Sequence, residues 1–162
     1  MSYFVVDTNV PIVANGKSNQ ASSACVLNCA KKLKEIREQH IIVLDDTWLI
    51  INEYKNKLSH TGQPGVGDAF LKWVLTNQAN PQRCQKVKIT PTAENSFEEF
   101  PEDESLAKFD KSDRKFVAVA LSHPEKPPIL NAVDSDWKNF EIALTNIGIT
   151  IIFLCPELTT RP

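Results

Sequence analysis

Phe4-Val5-Val6-Asp7-Thr8-Asn9 is the stretch on which the reading of this chain turns: a short apolar run ends on a carboxylate, a hydroxyl and an amide. A run of that kind, apolar on both faces, suits a central strand of a parallel sheet, with its polar residues delivered to the strand tip. Three later places set an acidic residue beside an apolar segment in the same way. Glu53 follows Ile41-Ile42-Val43-Leu44, Asp113 precedes Phe116-Val117-Ala118-Val119-Ala120-Leu121, and Asp134 follows Ile129-Leu130-Asn131-Ala132-Val133.

Between these places the pattern alternates. After strand one (about Tyr3 to Val6) and a loop containing Pro11 and Gly16, residues Ser18 to Gln39 carry Val26, Cys29, Ala30 and Leu33 at helical spacing. The run at 41–44 reads as a second strand, and Asp45, Asp46 or Thr47 can cap the helix that follows to about Leu58. On that helix Glu53 shares a face with Leu49 and Ile50. Gly62, Pro64, Gly65 and Gly67 mark a turn before an amphipathic helix carrying Val66, Phe70, Trp73 and Val74.

Cys84 to Thr90 alternates as a half-buried strand near the sheet edge, and Glu94 to Glu104 reads as a solvated acidic loop or one short helix. That segment lacks the Asp-x-Asp-x-Asp-Gly spacing of a calcium loop. Ser112 is placed to cap a helix whose buried stripe Asp113 heads. A last helix with Trp137, Phe140, Leu144 and Ile147 ends at Gly148, before a strand from Ile149 to Leu154. Strands alternating with amphipathic helices predict one α/β domain over residues 1–162, with a mostly parallel sheet of about five strands covered on both faces. Ligands of such sheets collect at the strands' carboxyl ends, where Asp7 and Asp134 both fall.

With 18 basic and 20 acidic side chains the net charge is -2, which argues against a constitutive nucleic-acid binder and leaves local or transient contact. No apolar stretch reaches eighteen residues and Met1-Ser2-Tyr3-Phe4 lacks a basic leader segment, so a soluble, cytoplasmic protein with no membrane partner is expected. Cys25, Cys29, Cys84 and Cys155 are expected as reduced thiols, with Cys25 and Cys29 side by side on one helix face. His40, His60 and His123 lack metal-ligand spacing and are expected at the surface.

Taken singly, each acid has an ordinary explanation as a turn residue, a helix-start residue or a partner of a nearby lysine such as Lys57. Brought together, two carboxylates about 4 Å apart repel by roughly 4 kcal/mol at an effective dielectric of about 20. Oxygen-only ligands then call for a hard divalent cation, Mg2+ or Mn2+, which lowers the pKa of water and offsets phosphodiester charge. Protonation of one acid by its neighbours is the alternative.

Val5-Val6-Asp7-Thr8-Asn9, Glu53 in the helix after the second strand, Asp113-Arg114-Lys115-Phe116-Val117-Ala118-Val119-Ala120 and Ile129-Leu130-Asn131-Ala132-Val133-Asp134-Ser135-Asp136-Trp137 together resemble the PilT N-terminal (PIN) domain nucleases over nearly the whole chain. The resemblance implies a three-layer α/β/α domain and a Mg2+- or Mn2+-dependent endoribonuclease. Its acidic set would be Asp7, Glu53, Asp113 and Asp134, with Asp136 as an additional acid and Thr8 or Asn9 orienting a carboxylate. It further implies an RNA substrate and, since many such domains are toxins, an antitoxin protein partner and a homodimer.

Ala132 departs from the family's frequent Thr or Ser two residues before the fourth acid, and Asp110 is a possible substitute for Asp113. Arg114, Lys115 and Lys138 lie beside the acids, where they either meet phosphate or are solvated. One competing reading is a catalytically weakened PIN-like module that binds RNA or protein. A haloacid-dehalogenase-like phosphatase fits less well, because it needs Asp where Asn9 stands and a lysine that Lys126 is poorly placed to supply.

Overall fold

A computed structural model describes residues 1–159 of the chain. Five parallel strands form one sheet: β1 (Tyr3–Val6), β2 (Ile41–Asp45), β3 (Cys84–Val87), β4 (Ile129–Asn131) and β5 (Ile151–Phe153), in the order β3-β2-β1-β4-β5. The chain therefore starts in the middle of the sheet, winds outward to β3, then returns to the other side of β1. The pairing Val5↔Ile129 and Val6↔Leu130 makes β1 and β4 neighbours, and the strand order reverses between them. Burial follows position: β2 is buried at every residue, whereas the edge strands β3 and β5 are only partly covered, as expected for the alternating Cys84–Val87 run.

Helices α1 (Asn9–Ala14), α2 (Ser23–Gln39) and α4 (Val66–Asn77) pack together as one layer, joined by α3 (Leu49–Lys57). On the other side α5 (Arg114–Ser122) lies over β2, β1 and β4, and every residue from Arg114 to Ala120 is buried. The result is the expected three-layer α/β/α arrangement. Gly67 explains how closely two helices of the first layer meet: a Cβ there would stand 1.9 Å from the Pro11 carbonyl oxygen, so α4 rests directly on the backbone of α1.

Several local expectations are corrected. Residues 9–14 form helix α1 instead of a loop. Its start is fixed by Asp7, whose carbonyl and carboxylate accept from the Val10 and Asn9 backbone N–H groups, and Pro11 sits early enough that its missing N–H is not needed. Of the three expected cap candidates Asp45, Asp46 and Thr47, Asp45 caps α3, as anticipated, accepting from the Leu49 and Ile50 N–H groups at 2.8 and 2.9 Å, with Trp48 in the left-handed region at φ 67. Before α5 stands a 3-10 turn, Lys111–Asp113, capped by Asp110 and not by Ser112.

The last predicted helix is two, α6 (Asp136–Asn139) and α7 (Glu141–Asn146), with Phe140 at the break. Gly148 follows with φ 93, and a short α8 (Pro156–Thr159) comes after β5. The acidic connection is not simply solvated. Phe97 and Phe100 are buried, residue 91 bridges to residue 97, and a 3-10 turn spans Glu104–Leu106.

Two side-chain expectations also fail. Cys25 and Cys155 form a disulfide, because the fold brings the start of α2 and the residue before α8 to a Cα separation of 5.3 Å across 130 positions; Cys29 and Cys84 are buried free thiols. His123 is 5% exposed, hydrogen bonded to Gln85 at 2.7 Å, and burial holds its pKa below the ordinary value. Among the described residues, no helix is long and apolar enough to cross a membrane.

A cross-link spanning so long a loop restricts the unfolded chain strongly. Cys155→Ser is expected to lower the unfolding free energy by about 2–5 kcal/mol in non-reducing urea titrations, with the difference from the parent vanishing in dithiothreitol.

Candidate metal centre

The reversal of strand order opens a crevice at the carboxyl ends of β1 and β4, and the sequence places acids on both. Asp7 leaves β1 with its N–H still bonded to the Leu130 carbonyl, while Asp134 lies on the turn that leaves β4. Asp113 comes from the 3-10 turn in front of α5, the helix that lies over these strands. Carboxylate oxygens of Asp7, Asp113 and Asp134 all lie within 4.8 Å of one another. Asp110, Asp113 and Asp136 form a second such triplet, so Asp113 belongs to both and Asp136 extends the cluster as an additional acid.

Asp7 is 4% exposed and tightly held. One oxygen accepts from the backbone and side-chain N–H groups of Asn9, each at 2.9 Å, and the other accepts from the Trp137 indole at 2.9 Å. Burial nevertheless pushes its pKa up to about 7, with the charges of Asp134 and Glu53 adding to the rise and the Asn9 and Trp137 hydrogen bonds opposing it. Burial, then the charges of Asp7, Asp134 and Asp110, push Asp113 up to about 9, against a lowering by Lys115. Asp136 is raised by burial and by Asp134. The crevice thus holds more carboxylate than it can keep ionised without a positive charge.

Glu53 stands beside this group instead of within the triplet. One oxygen accepts from the Thr8 hydroxyl and the other from Lys115 Nζ at 2.8 Å. The two supporting residues therefore divide the work, Thr8 orienting Glu53 and Asn9 orienting Asp7. Glu53 pairs with Lys115, 62 positions away, and not with Lys57 on its own helix.

The cations beside the acids are otherwise engaged. Lys115 also donates to the Ser112 carbonyl, and Lys138 pairs with Glu141 at 2.8 Å. Arg114 is buried, donating to the Phe109 and Ala107 carbonyls and Ser96 Oγ with Phe100 under its guanidinium, so it fastens the acidic connection to the core. Neither Arg114 nor Lys115 is a solvated helix residue.

Three residues that the sequence did not single out complete the centre. Trp137 supplies the second clamp on Asp7. Buried Asn131 accepts from Asn9 Nδ2 at 2.8 Å and donates to the Asp134 carbonyl at 2.9 Å, while Asn9 Oδ1 accepts from the Ala132 N–H at 2.7 Å. Asn131 and Asn9 thereby tie the turn carrying Asp134 to the tip of β1. Ala132 turns its methyl into the core, and support for that turn comes from Asn131 instead of a hydroxyl at 132. Tyr54 donates its hydroxyl to the Val6 carbonyl beneath Asp7. An amide inside the apolar run 129–133 was the available signal for Asn131; the indole of Trp137, read as a core residue, carried none.

No family model, curated protein or solved structure matches the chain.

Asp7 and Asp113 both titrate higher folded than unfolded, so without a cation the folded state binds more protons than the unfolded chain between the ordinary aspartate value near 3.8 and about 7 and 9 respectively. Stability in EDTA is therefore expected to fall as pH rises through that window and to level off above it. Thermal melts from pH 4 to 9.5 read this directly. Trp137→Phe removes a hydrogen bond to the Asp7 anion and is expected to move the Asp7 titration above 7, as followed by carboxyl 13C chemical shifts.

Proposed function

We propose that this protein is a Mg2+- or Mn2+-dependent endoribonuclease of the PIN type that hydrolyses phosphodiester bonds in RNA at the crevice between β1 and β4. The observation that carries the reading is the triplet of Asp7, Asp113 and Asp134 oxygens within 4.8 Å of one another, at the place where a parallel sheet reverses its strand order. The donor set fits a hard divalent cation: every candidate ligand atom is a carboxylate oxygen, and the ammonium of Lys115 beside them is already paired with Glu53. A divalent cation held by Asp7, Asp113 and Asp134 would offset their mutual repulsion and the charge of a phosphodiester, and would lower the pKa of an attacking water.

The chain's own residues set the conditions for that chemistry. Asn9 donates twice to one oxygen of Asp7 and Trp137 to the other, fixing the carboxylate's rotation before any ligand arrives. Asn131 holds the Asp134 turn against β1, so the two strand-end acids keep their spacing. Glu53 anchors Lys115 at the edge of the centre and adds negative charge against Asp7 without joining the triplet. Asp110 and Asp136 extend the negative field on the far side of Asp113. The overall charge of -2 suits transient contact with RNA better than tight retention. An antitoxin protein covering the crevice, and a homodimer, belong to this proposal as the partners a toxin of this type has.

Purified protein is expected to cleave single-stranded RNA with Mn2+ or Mg2+ and to stop on chelation. Asp7→Asn should lower the cleavage rate by at least about 100-fold while the protein stays folded by circular dichroism in EDTA; its melting temperature is expected to fall, because the amide NH2 faces one of the N–H donors now bonded to the Asp7 oxygens. Glu53→Gln should cost less than Asp7→Asn, because both Glu53 oxygens are engaged by Thr8 and Lys115. An Asp7→Asn variant that cleaves at the parent rate would refute the assignment. Bound to the folded protein alone, Mn2+ at about 100 times its pH 8 Kd should add about 2.7 kcal/mol of stability at pH 8, and the same concentration should add less at pH 5.5, where protons compete for Asp7 and Asp113.

A further inference from the structure

Away from the acidic crevice, the C-terminal end of α2, the middle of α4 and the loop before α4 enclose a cleft of about 300 Å³, lined by Arg37, Thr61, Gln63, Lys72, Trp73 and Asn77 among others. No lining residue carries a carboxylate. Among the described residues neither Arg37 nor Lys72 has an ion-pair partner, and the Arg37 Nε is buried with no hydrogen-bond acceptor. Buried donors without acceptors are rare because the lost hydration is not replaced. Arg37 and Lys72 line one cleft with no carboxylate to pair with, which favours an anion there.

The walls of the cleft are held in place before any ligand binds. Buried Asp68 accepts from the Ser59 N–H at 2.7 Å, the Gly65 N–H at 3.0 Å and Asn15 Nδ2 at 3.0 Å, closing the loop between α3 and α4 into one shape. Gly62 in that loop has φ 84, and a Cβ on it would stand 2.7 Å from the Lys72 side chain; its absence lets the Lys72 stem lie across the loop. Trp73 is partly exposed, with Phe70 stacked against it at a centroid distance of 6.2 Å. The Asn77 amide donates to the Trp73 carbonyl and the Thr76 hydroxyl to the Lys72 carbonyl, so their oxygens remain available as acceptors beside the indole.

We propose that this cleft is a second binding site, for a mononucleotide, with the phosphate on Arg37 and Lys72 and the base against Trp73. The guanidinium fork suits phosphate oxygens, a π-face suits any base, and the volume matches a ligand of that size. Because α2 runs straight into the start of β2, Arg37 lies at the amino-terminal end of the sheet, opposite the rim that carries Asp7 and Asp134. The site therefore does not depend on the metal reading of that rim.

Isothermal titration of the whole protein in EDTA, with 5'-AMP, adenosine and inorganic phosphate as separate ligands, tests the proposal. AMP is expected to bind at one site per chain, at least about tenfold tighter than either adenosine or phosphate, and to weaken as salt rises. Lys72→Gln, at an exposed position, and Arg37→Gln should each weaken AMP at least about tenfold, with Lys72→Gln leaving the melting temperature unchanged. Absence of saturable AMP binding up to millimolar concentration, or binding that both variants leave intact, overturns the site. AMP affinity no greater than that of phosphate overturns the nucleotide assignment.

Discussion

Burial of carboxylates that face one another is the constraint around which this structure is arranged. Asp7, Asp113 and Asp134 converge where the strand order of the parallel sheet reverses, and burial and mutual charge hold Asp7 and Asp113 far above ordinary aspartates. Much of the surrounding polar structure counteracts that strain or directs it. Asn9 and Trp137 donate to Asp7, Asn131 braces the turn bearing Asp134, and Lys115 neutralises Glu53 within reach of Asp113. Converging carboxylates whose pKa values burial and neighbouring charge raise this far are a functional candidate on physical grounds.

The scaffold holds that cluster rigidly. Each acid of the triplet leaves or precedes an element whose other residues are packed: β1 and β4 in the centre of the sheet, α5 buried from Arg114 to Ala120. Arg114, adjacent to Asp113, is turned away from the crevice and fixed to three carbonyls and a serine of the connection from β3 to α5. That connection, though acidic, is anchored to the core by Phe97, Phe100 and Arg114. The disulfide between Cys25 and Cys155 fastens the C-terminal segment to α2 on the side away from β3.

Local patterns in the sequence carried the elements well where hydrophobic periodicity was the governing signal. The continuous runs at 4–6, 41–44 and 129–133 carry strands, the last ending already at Asn131; the alternating run from Cys84 is an edge strand that stops at Val87 and not at Thr90, and the amphipathic stripes at 66–74 and 116–121 are helices. Periodicity failed where a single side chain set the outcome. The carbonyl and carboxylate of Asp7 start helix α1 in a segment whose proline suggested a loop, and Asp110 displaced Ser112 as a cap because its carboxylate reaches both the N–H and the hydroxyl of that serine.

What the sequence determined by itself was the alternation of strand and helix, and with it the parallel sheet, the rim on which ligands gather and the set of acids lying near strand ends. These follow from spacing along the chain, which burial of one face imposes at short range. Only the tertiary structure decided which acids share a crevice, because that depends on β4 returning to lie beside β1 after 122 intervening residues of folding choices. It also set Glu53 outside the triplet by pairing it with Lys115, joined Cys25 to Cys155, and buried His123. Each of these is a contact between residues far apart in sequence, fixed by the order of the strands and the packing over them, and no local pattern encodes it.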